Sequence, residues 1–257
     1  MNPAPAPTFS LLDRNALVIG GTSGIGRAIA RGYLQSGARV TIAGRDPGKL
    51  AQALSELAAY GDVTGHQADV STAEGLHGLV GITLAHRGHL DLLVNCQGIT
   101  LLKPAEDFTA EDWSAIIDTD LKSVFFACTE VGRHMLGRGS GAIVNIASLA
   151  SHRGWPRSAL YAIAKAGVLS LTQTLGAEWA ARGVRVNAIS PGFFMTELNR
   201  DKMSPERKAL ALARTPAGRF GEVDELVGAA IYLASPSAGF VTGQTIAVDG
   251  GYLATGM

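Results

Sequence analysis

Apolar residues fall into two alternating patterns along this chain. Short runs rich in Val, Ile, Leu and Ala occupy residues 15–19, 39–43, 63–68, 90–94, 142–146, 184–189 and 245–248. Most are near-continuously apolar and β-branched, the character of strands covered on both faces. Between them lie longer stretches with apolar positions at helical spacing, such as 26–36, 47–59, 113–136 and 161–179. Strands alternating with helices predict a parallel sheet joined by right-handed crossovers. The seven strands fit one doubly wound α/β sheet with helices on both faces, and no linker, repeat or shift in composition divides the chain. The expected organisation is a loose Pro/Ala-rich arm at 1–10 and one domain over 11–257. A substrate lid is expected at about 195–216, where apolar and charged residues mix.

In such sheets ligands bind beyond the carboxyl ends of the strands, so the residues that follow each run carry the candidate chemistry. The first run enters Gly20-Gly21-Thr22-Ser23-Gly24-Ile25-Gly26 and a helix pattern leaves it. Glycines at a strand-to-helix turn let backbone N–H groups approach a pyrophosphate at the positive end of the helix. Their spacing, Gly-x-x-x-Gly-x-Gly, differs from the G-x-G-x-x-G fingerprint. The second run ends in Gly44-Arg45-Asp46-Pro47. An acidic residue at that strand end would hold an adenosine 2′-hydroxyl, whereas an Arg suits a 2′-phosphate. Asp46 before Pro47 reads as a helix N-cap turned away from that site. Arg45 therefore favours NADP(H) over NAD(H), with a solvated surface Arg or dual specificity as the alternative. The remaining strand ends bring Asp69-Val70, Asn95-Cys96-Gln97-Gly98, Ser148 and Pro191-Gly192 to the same edge.

Tyr161 and Lys165 open the helical stretch after the fifth run, four residues apart and so on one face. A phenol ordinarily ionises near pH ~10. A positive charge held beside it favours the phenolate, so the pair reads as a tuned proton donor or acceptor.

Composition excludes other classes. The chain has 257 residues with 22 basic and 22 acidic side chains, and no Lys/Arg-rich run suits a nucleic acid. Its two cysteines, Cys96 and Cys128, lie in apolar stretches and read as free buried thiols in a reducing cytoplasm. No spacing of ligands suggests a metal. No run of about 18 apolar residues suggests a membrane span, and residues 1–8 lack the charged start and apolar core of a signal peptide.

Together these motifs resemble the short-chain dehydrogenase/reductase family in its compact form, over about residues 12–252. The resemblance rests on Gly20 to Gly26, Asp69, Asn95-x-x-Gly98, Ser148, Tyr161-x-x-x-Lys165, Pro191-Gly192 and Val248-Asp249-Gly250-Gly251. It implies a Rossmann-type oxidoreductase that moves a hydride between a nicotinamide and a carbonyl or secondary alcohol. By that resemblance Tyr161 is the general acid in reduction and the general base in oxidation. Lys165 supports it and holds the nicotinamide ribose, while Ser148 bonds the substrate oxygen. Asp69 and Val70 should contact adenine, Asn95 and Gly98 should lie along the cofactor, and Pro191, Gly192, Phe194 and Thr196 should embrace the nicotinamide.

The chain departs from the family at three places. Ile19 stands where Thr is usual before the first glycine, and Cys96-Gln97 replaces a smaller Asn-Ala pair. Asp120 stands where an Asn commonly anchors a water that joins the catalytic Lys to solvent. An ionised Asp accepts hydrogen bonds but cannot donate, so Asp120 either joins the proton relay or packs locally.

On the substrate side, residues 99–101, 149–157, 193–194 and 195–216 should build the pocket. Arg153 or Arg157 would clamp a carboxylate there or face solvent, and Trp155 would stack on a sugar ring or line an apolar wall. Among family branches the chain resembles sugar-acid and polyol dehydrogenases such as gluconate 5-dehydrogenases, and 3-oxoacyl-carrier-protein reductases nearly as well. No Lys/Arg cluster stands out near the expected pocket mouth. A non-catalytic dinucleotide sensor would lack Tyr161 or Lys165, and both are present. Apolar residues on several faces of 113–136 and 161–179, including Val124, Phe125, Phe126, Val168, Leu169 and Leu171, add the expectation of a homotetramer.

Overall fold

A computed structural model describes residues 8–196 and 203–255. Seven strands form one parallel sheet: β1 (Asn15–Ile19), β2 (Arg39–Gly44), β3 (Val63–Gln67), β4 (Leu92–Asn95), β5 (Gly141–Ile146), β6 (Val184–Pro191) and β7 (Thr245–Val248). Their spatial order is β3-β2-β1-β4-β5-β6-β7. The chain therefore reverses direction across the sheet between β1 and β4, which opens a crevice at their carboxyl ends. The helices are α1 (Gly24–Gln35), α2 (Pro47–Leu57), α3 (Ala73–Arg87), α4 (Ala110–Ile117), α5 (Ser123–Arg138), α6 (Ala159–Trp179), α7 (Pro205–Ala213) and α8 (Val227–Ala234).

Side-chain alternation in β1 shows why the sheet needs cover on both sides. Ala16 and Val18 enter one core with α1, α2 and α8 residues such as Ile29, Leu50 and Leu233. Leu17 and Ile19 enter the other, with Leu79 of α3, Val131 of α5 and Val168 of α6. Both sets are buried, so each face of this strand needs apolar cover, and its one polar residue, Asn15 at the start, is buried with its amide donating to the Arg87 carbonyl at 3.3 Å.

β2, β3, β4, β5 and β6 each differ from the periodicity by one or two residues at an end, and two departures have a visible cause. The fourth strand begins two residues later than the apolar run suggests, because the Leu90 N–H bonds His134 Nε2 at 3.3 Å instead of a neighbouring strand. The expected helix over 113–136 is divided into α4 and α5 by a π-helical turn at Asp118–Lys122. Such a turn adds a residue to the winding and re-aims side chains, and here it buries Thr119 and Asp120. Within the expected lid, α7 spans Pro205–Ala213, and residues 197–202 lie outside the described residues. Residues 1–7 of the expected arm also lie outside them.

Strand register lines up the site. Ile19, the residue before the glycines, pairs with Ala43 on one side and Asn95 on the other. Asn95 pairs with Asn145, Ile146 with Ile189, and Pro191 with Val248. Every candidate segment thus leaves the sheet at one edge.

Candidate active site

The glycine turn is shaped for close backbone approach. A Cβ at Gly26 would stand 2.2 Å from the Gly20 carbonyl oxygen, so only hydrogen fits between turn and helix. Gly20 has φ +78° and lies against the Cys96–Gln97 backbone, where a Cβ would come within 2.8 Å of Cys96. Ser23 is the N-cap of α1 but makes no side-chain cap bond, and the first turn holds no acid. The helix start therefore offers N–H groups and positive dipole to an anion. Thr196 overlies this turn, with its Cγ2 3.8 Å from where a Gly24 Cβ would be. These features fit a dinucleotide pyrophosphate, which Gly20, Thr22, Ser23, Gly24, Ile25 and Gly26 would hold.

Arg45 is exposed at the end of β2, and Asp46 does cap α2, its Oδ1 accepting the Lys49 N–H at 3.0 Å. The Asp46 carboxylate is thus engaged with its own helix, and Gly44 lies against Thr22, where a Cβ would meet Thr22 Cγ2 at 2.6 Å. Asp69 accepts both the backbone N–H and the hydroxyl of Ser71, which holds its carboxyl below the usual range. Val70 beside it is buried. Asn95 points its amide inward, donating to Asn145 Oδ1 at 2.9 Å and Cys128 Sγ at 3.3 Å. Gly192 lies against Asp249, where a Cβ would come within 2.6 Å of its Cα. Phe194 is 3% exposed and packs into the core, its ring filling the space above Gly221. Pro191 ends β6 beside Val248.

The remaining candidates, Tyr161, Lys165, Asp120 and Ser148, sit across the crevice. Tyr161 is half-buried on the first turn of α6, and the Lys165 Nζ lies 5.8 Å from its ring centroid. Lys165 is 4% exposed and donates to the Ile146 carbonyl at 3.2 Å and the Gln97 carbonyl at 3.5 Å. Asp120 is fully buried; its Oδ1 accepts the Ile99 N–H at 2.8 Å and its Oδ2 lies 3.5 Å from Lys165 Nζ. Gly98 makes room for this pair, since a Cβ there would be 2.8 Å from Asp120 Oδ2 and 3.3 Å from Lys165 Nζ. Burial pulls Lys165 down, yet Asp120 and then Tyr161 outweigh it and raise Lys165 above its ordinary value. Ser148 follows β5 in extended conformation, its Oγ accepting the Ala150 N–H at 3.2 Å.

Residues 153–157, midway along the loop between Ser148 and Tyr161, form one wall of a cleft of 1190 Å³, and α7 forms another. Trp155 stacks on Phe193 at 5.9 Å, and Tyr252 meets both rings, at 6.2 Å and 5.6 Å. Arg153 ties the loop to the chain end, donating to the Leu253 and Thr255 carbonyls at 2.9 Å each. Arg157 has φ +67°, a strained value for a side chain that large, and its carbonyl accepts the Lys103 N–H at 2.8 Å.

Four arginines line this cleft: Arg153, Arg157, Arg207 and Arg214. Glu206 is the single carboxylate among its described lining residues. This corrects the expectation that no basic cluster lies at the pocket mouth. Arg153 and Arg157 lie near each other in sequence, as do Arg207 and Arg214, and the fold brings the two pairs to one cleft. Tyr252 was also absent from the expected pocket. Its signal was available, since it follows β7 at the same sheet edge.

A family model described as enoyl-(acyl carrier protein) reductase matches residues 20–253. The gluconate 5-dehydrogenase of Gluconobacter oxydans is 38% identical over 245 residues, covering 95% of this chain and 96% of that protein. A 3-oxoacyl-[acyl-carrier-protein] reductase of Chlamydia muridarum is 38% identical, covering 94% of this chain and 98% of its own. The crystal structure of a gluconate 5-dehydrogenase from Burkholderia cenocepacia, in complex with NADP and tartrate, superposes with a TM-score of 0.91. It is 38% identical and covers 96% of this chain and 98% of its own. Matches of this extent, over the fold and the glycine turn described above, establish that the chain is an oxidoreductase of the short-chain dehydrogenase/reductase family.

Proposed function

We propose that this protein is an NADP(H)-dependent dehydrogenase that interconverts a secondary alcohol and a carbonyl on a sugar acid or similar small polar substrate. The observation that carries the reading is the arginine-lined cleft, one wall of which is residues 153–157, on the loop between Ser148 and Tyr161. An Arg pairs with a carboxylate in a planar, two-bond fork, and Trp155 offers a flat face to a sugar ring. The bound nicotinamide supplies or accepts the hydride. Ser148 Oγ orients the substrate oxygen, and Tyr161 gives that oxygen a proton in reduction or removes it in oxidation. Lys165 favours the phenolate and, with Asn95, Gly98, Pro191, Gly192 and Thr196, holds the cofactor. Asp69 and Val70 border the adenine, and Arg45 receives the 2′-phosphate. Helix α7, within residues 195–216, acts as the lid.

Assay of the purified protein against sugar acids, neutral polyols and 3-oxoacyl thioesters, with each cofactor, tests this. Sugar acids should exceed the matching neutral polyols about tenfold or more in kcat/KM, since a charged hydrogen bond contributes about 1.5–3 kcal/mol. NADP(H) should bind more tightly than NAD(H), and Arg45→Asp should reverse the order. Equal affinities for both cofactors would remove the argument from Arg45. The same arginines would also meet an acidic carrier protein, which supports a 3-oxoacyl-carrier-protein reductase as a second reading. Thioesters turned over best, and faster on the carrier than free, would decide for it.

The chain should also assemble, as a homotetramer. Phe125 and Phe126 are 42% and 49% exposed on α5, and Ile163 is 49% exposed on α6, an apolar surface suited to pairing helices with a second copy. Val124 and Val168, by contrast, are absorbed by the chain's own core. Light scattering at micromolar concentration should give four times the single-chain 26.7 kDa; a monomer mass would exclude the assembly. No helix among the described residues is long and apolar enough to cross a membrane. The cysteines are unpaired thiols, pushed up by burial to about 11 at Cys96 and about 12 at Cys128, and suit the reducing cytoplasm.

A further inference from the structure

The buried Asp120–Lys165 pair does more than hold a lysine in place. Two donors converge on Asp120 from different sides: the Ile99 N–H on Oδ1 and the Lys165 ammonium near Oδ2. Oδ2 has no hydrogen-bond partner and faces the ammonium at 3.5 Å as a charge, and while burial raises the Asp120 pKa, Lys165 is the foremost influence lowering it. A neutral amide would turn its NH₂ toward one of these donors, and a protonated carboxyl would turn its O–H toward one. We propose that Asp120 is ionised and acts as a positioning residue that sets the working pH of Tyr161, moving it toward alkaline values and favouring proton donation near neutrality. The inference rests on Tyr161 being the proton-transfer group.

The electrostatic sign follows from the charges and their distances. The Lys165 Nζ lies 3.5 Å from the Asp120 carboxylate and 5.8 Å from the Tyr161 ring centroid, so the carboxylate is the nearer of the two to the ammonium. The positive charge of Lys165 favours the phenolate, and the negative charge beside it cancels part of that field. Both sites are buried or half-buried, so solvent and salt screen this little. Other titratable groups facing the pair leave the sign unchanged. Cys96, at the end of β4, is pushed up by burial to about 11 and stays neutral. Arg45, just past the end of β2, weakly favours the ionised form of Asp120. His152, in the loop after β5, is bonded to Ser190 and is held low by burial. On the π-helical turn itself, Asp118 and Lys122 pair with each other at the exposed side.

The consequence is directional. In reduction Tyr161 gives its O–H proton to the carbonyl oxygen as the carbon receives hydride, so activity is lost once Tyr161 ionises. In oxidation the phenolate takes the alcohol proton as hydride leaves, so activity appears only once Tyr161 ionises. Asp120 moves both limits to higher pH, which lengthens the range over which reduction runs.

The test is the pH dependence of kcat/KM in both directions for the wild-type protein and for Asp120→Asn. The acid limb of oxidation and the alkaline limb of reduction should both move to lower pH, by about one unit. Plateau rates should stay within about tenfold and the melting temperature should show a folded enzyme. A purely structural Asp120 would change rates or melting and leave both limbs where they are, and that result overturns the proposal. Asp120→Ser, smaller and also neutral, repeats the test should the amide fit poorly beside Lys165. Should neither variant fold, the wild-type Asp120 carboxyl resonance decides the matter by ¹³C NMR: it should stay ionised between pH 6 and pH 9 (about two units above an ordinary carboxylate and beyond), and a titration within that range overturns it. Tyr161→Phe in the same assay separates the two ideas. A dead Tyr161→Phe with an unshifted Asp120→Asn refutes only the role of Asp120, whereas an active Tyr161→Phe refutes the catalytic reading beneath it.

Discussion

Tyr161→Phe should lower turnover roughly 10²–10⁴-fold, the span of general acid–base help, while cofactor affinity and melting temperature stay nearly unchanged. The structure gives three reasons. First, no neighbour can take over the proton. His152 is engaged with Ser190 at 2.8 Å, and burial lowers its pKa. The Cys96 thiol is buried and pushed up to about 11. Second, the Tyr161 hydroxyl makes no hydrogen bond with the described residues, so its removal leaves no buried partner unsatisfied. Third, the ring that packs beside Lys165 remains. Steady-state rates against a fluorescence titration of the cofactor separate these effects. A variant that keeps most of its activity would eliminate Tyr161 as the proton donor.

Much of this arrangement was legible in the chain because it depends on local rules. A short apolar run between turn residues marks a strand, and β1 and β7 lie where such runs placed them. The Asp46-Pro47 pair announced a helix start, and Asp46 does cap α2. Glycines with no alternative, such as Gly26, marked a turn where a side chain would collide with the backbone.

What escaped depends on relations that sequence spacing does not carry. The π-helical turn at Asp118–Lys122 leaves the apolar pattern of 113–136 almost unbroken, yet it is what buries Asp120 against Lys165. Arg157 and Arg207 are separated by fifty positions and meet only because α7 folds over the loop after β5. Phe194 looked like part of the nicotinamide embrace, whereas its ring is 3% exposed and fills the space over Gly221. An apolar residue at a strand end carries no sign of whether it faces a ligand or the core.

Lys165→Met should cost stability as well as activity, and the second loss is the more telling. It removes the single cation that faces Asp120 within 4 Å among the described residues and leaves a fully buried carboxylate facing a thioether. Breaking one side of a buried pair costs about 3–5 kcal/mol. For a chain of this size that lowers the melting temperature by about 6–20 °C. The pH dependence carries the sign. Burial raises the Asp120 pKa and Lys165 is the foremost influence lowering it, so without Lys165 the folded-state value rises further above the unfolded one. A carboxyl raised in this way favours folding only when protonated. The variant should therefore approach wild-type stability as pH falls toward the unfolded carboxylate value near 4, and the deficit should grow as pH rises through the folded-state value. Adding Asp120→Asn to Lys165→Met removes the stranded charge and should recover most of the lost stability at neutral pH with no recovery of turnover. Thermal melts of the two variants across pH make the comparison. A Lys165→Met protein that melts like the wild type at every pH would show that the two side chains are not a charged pair.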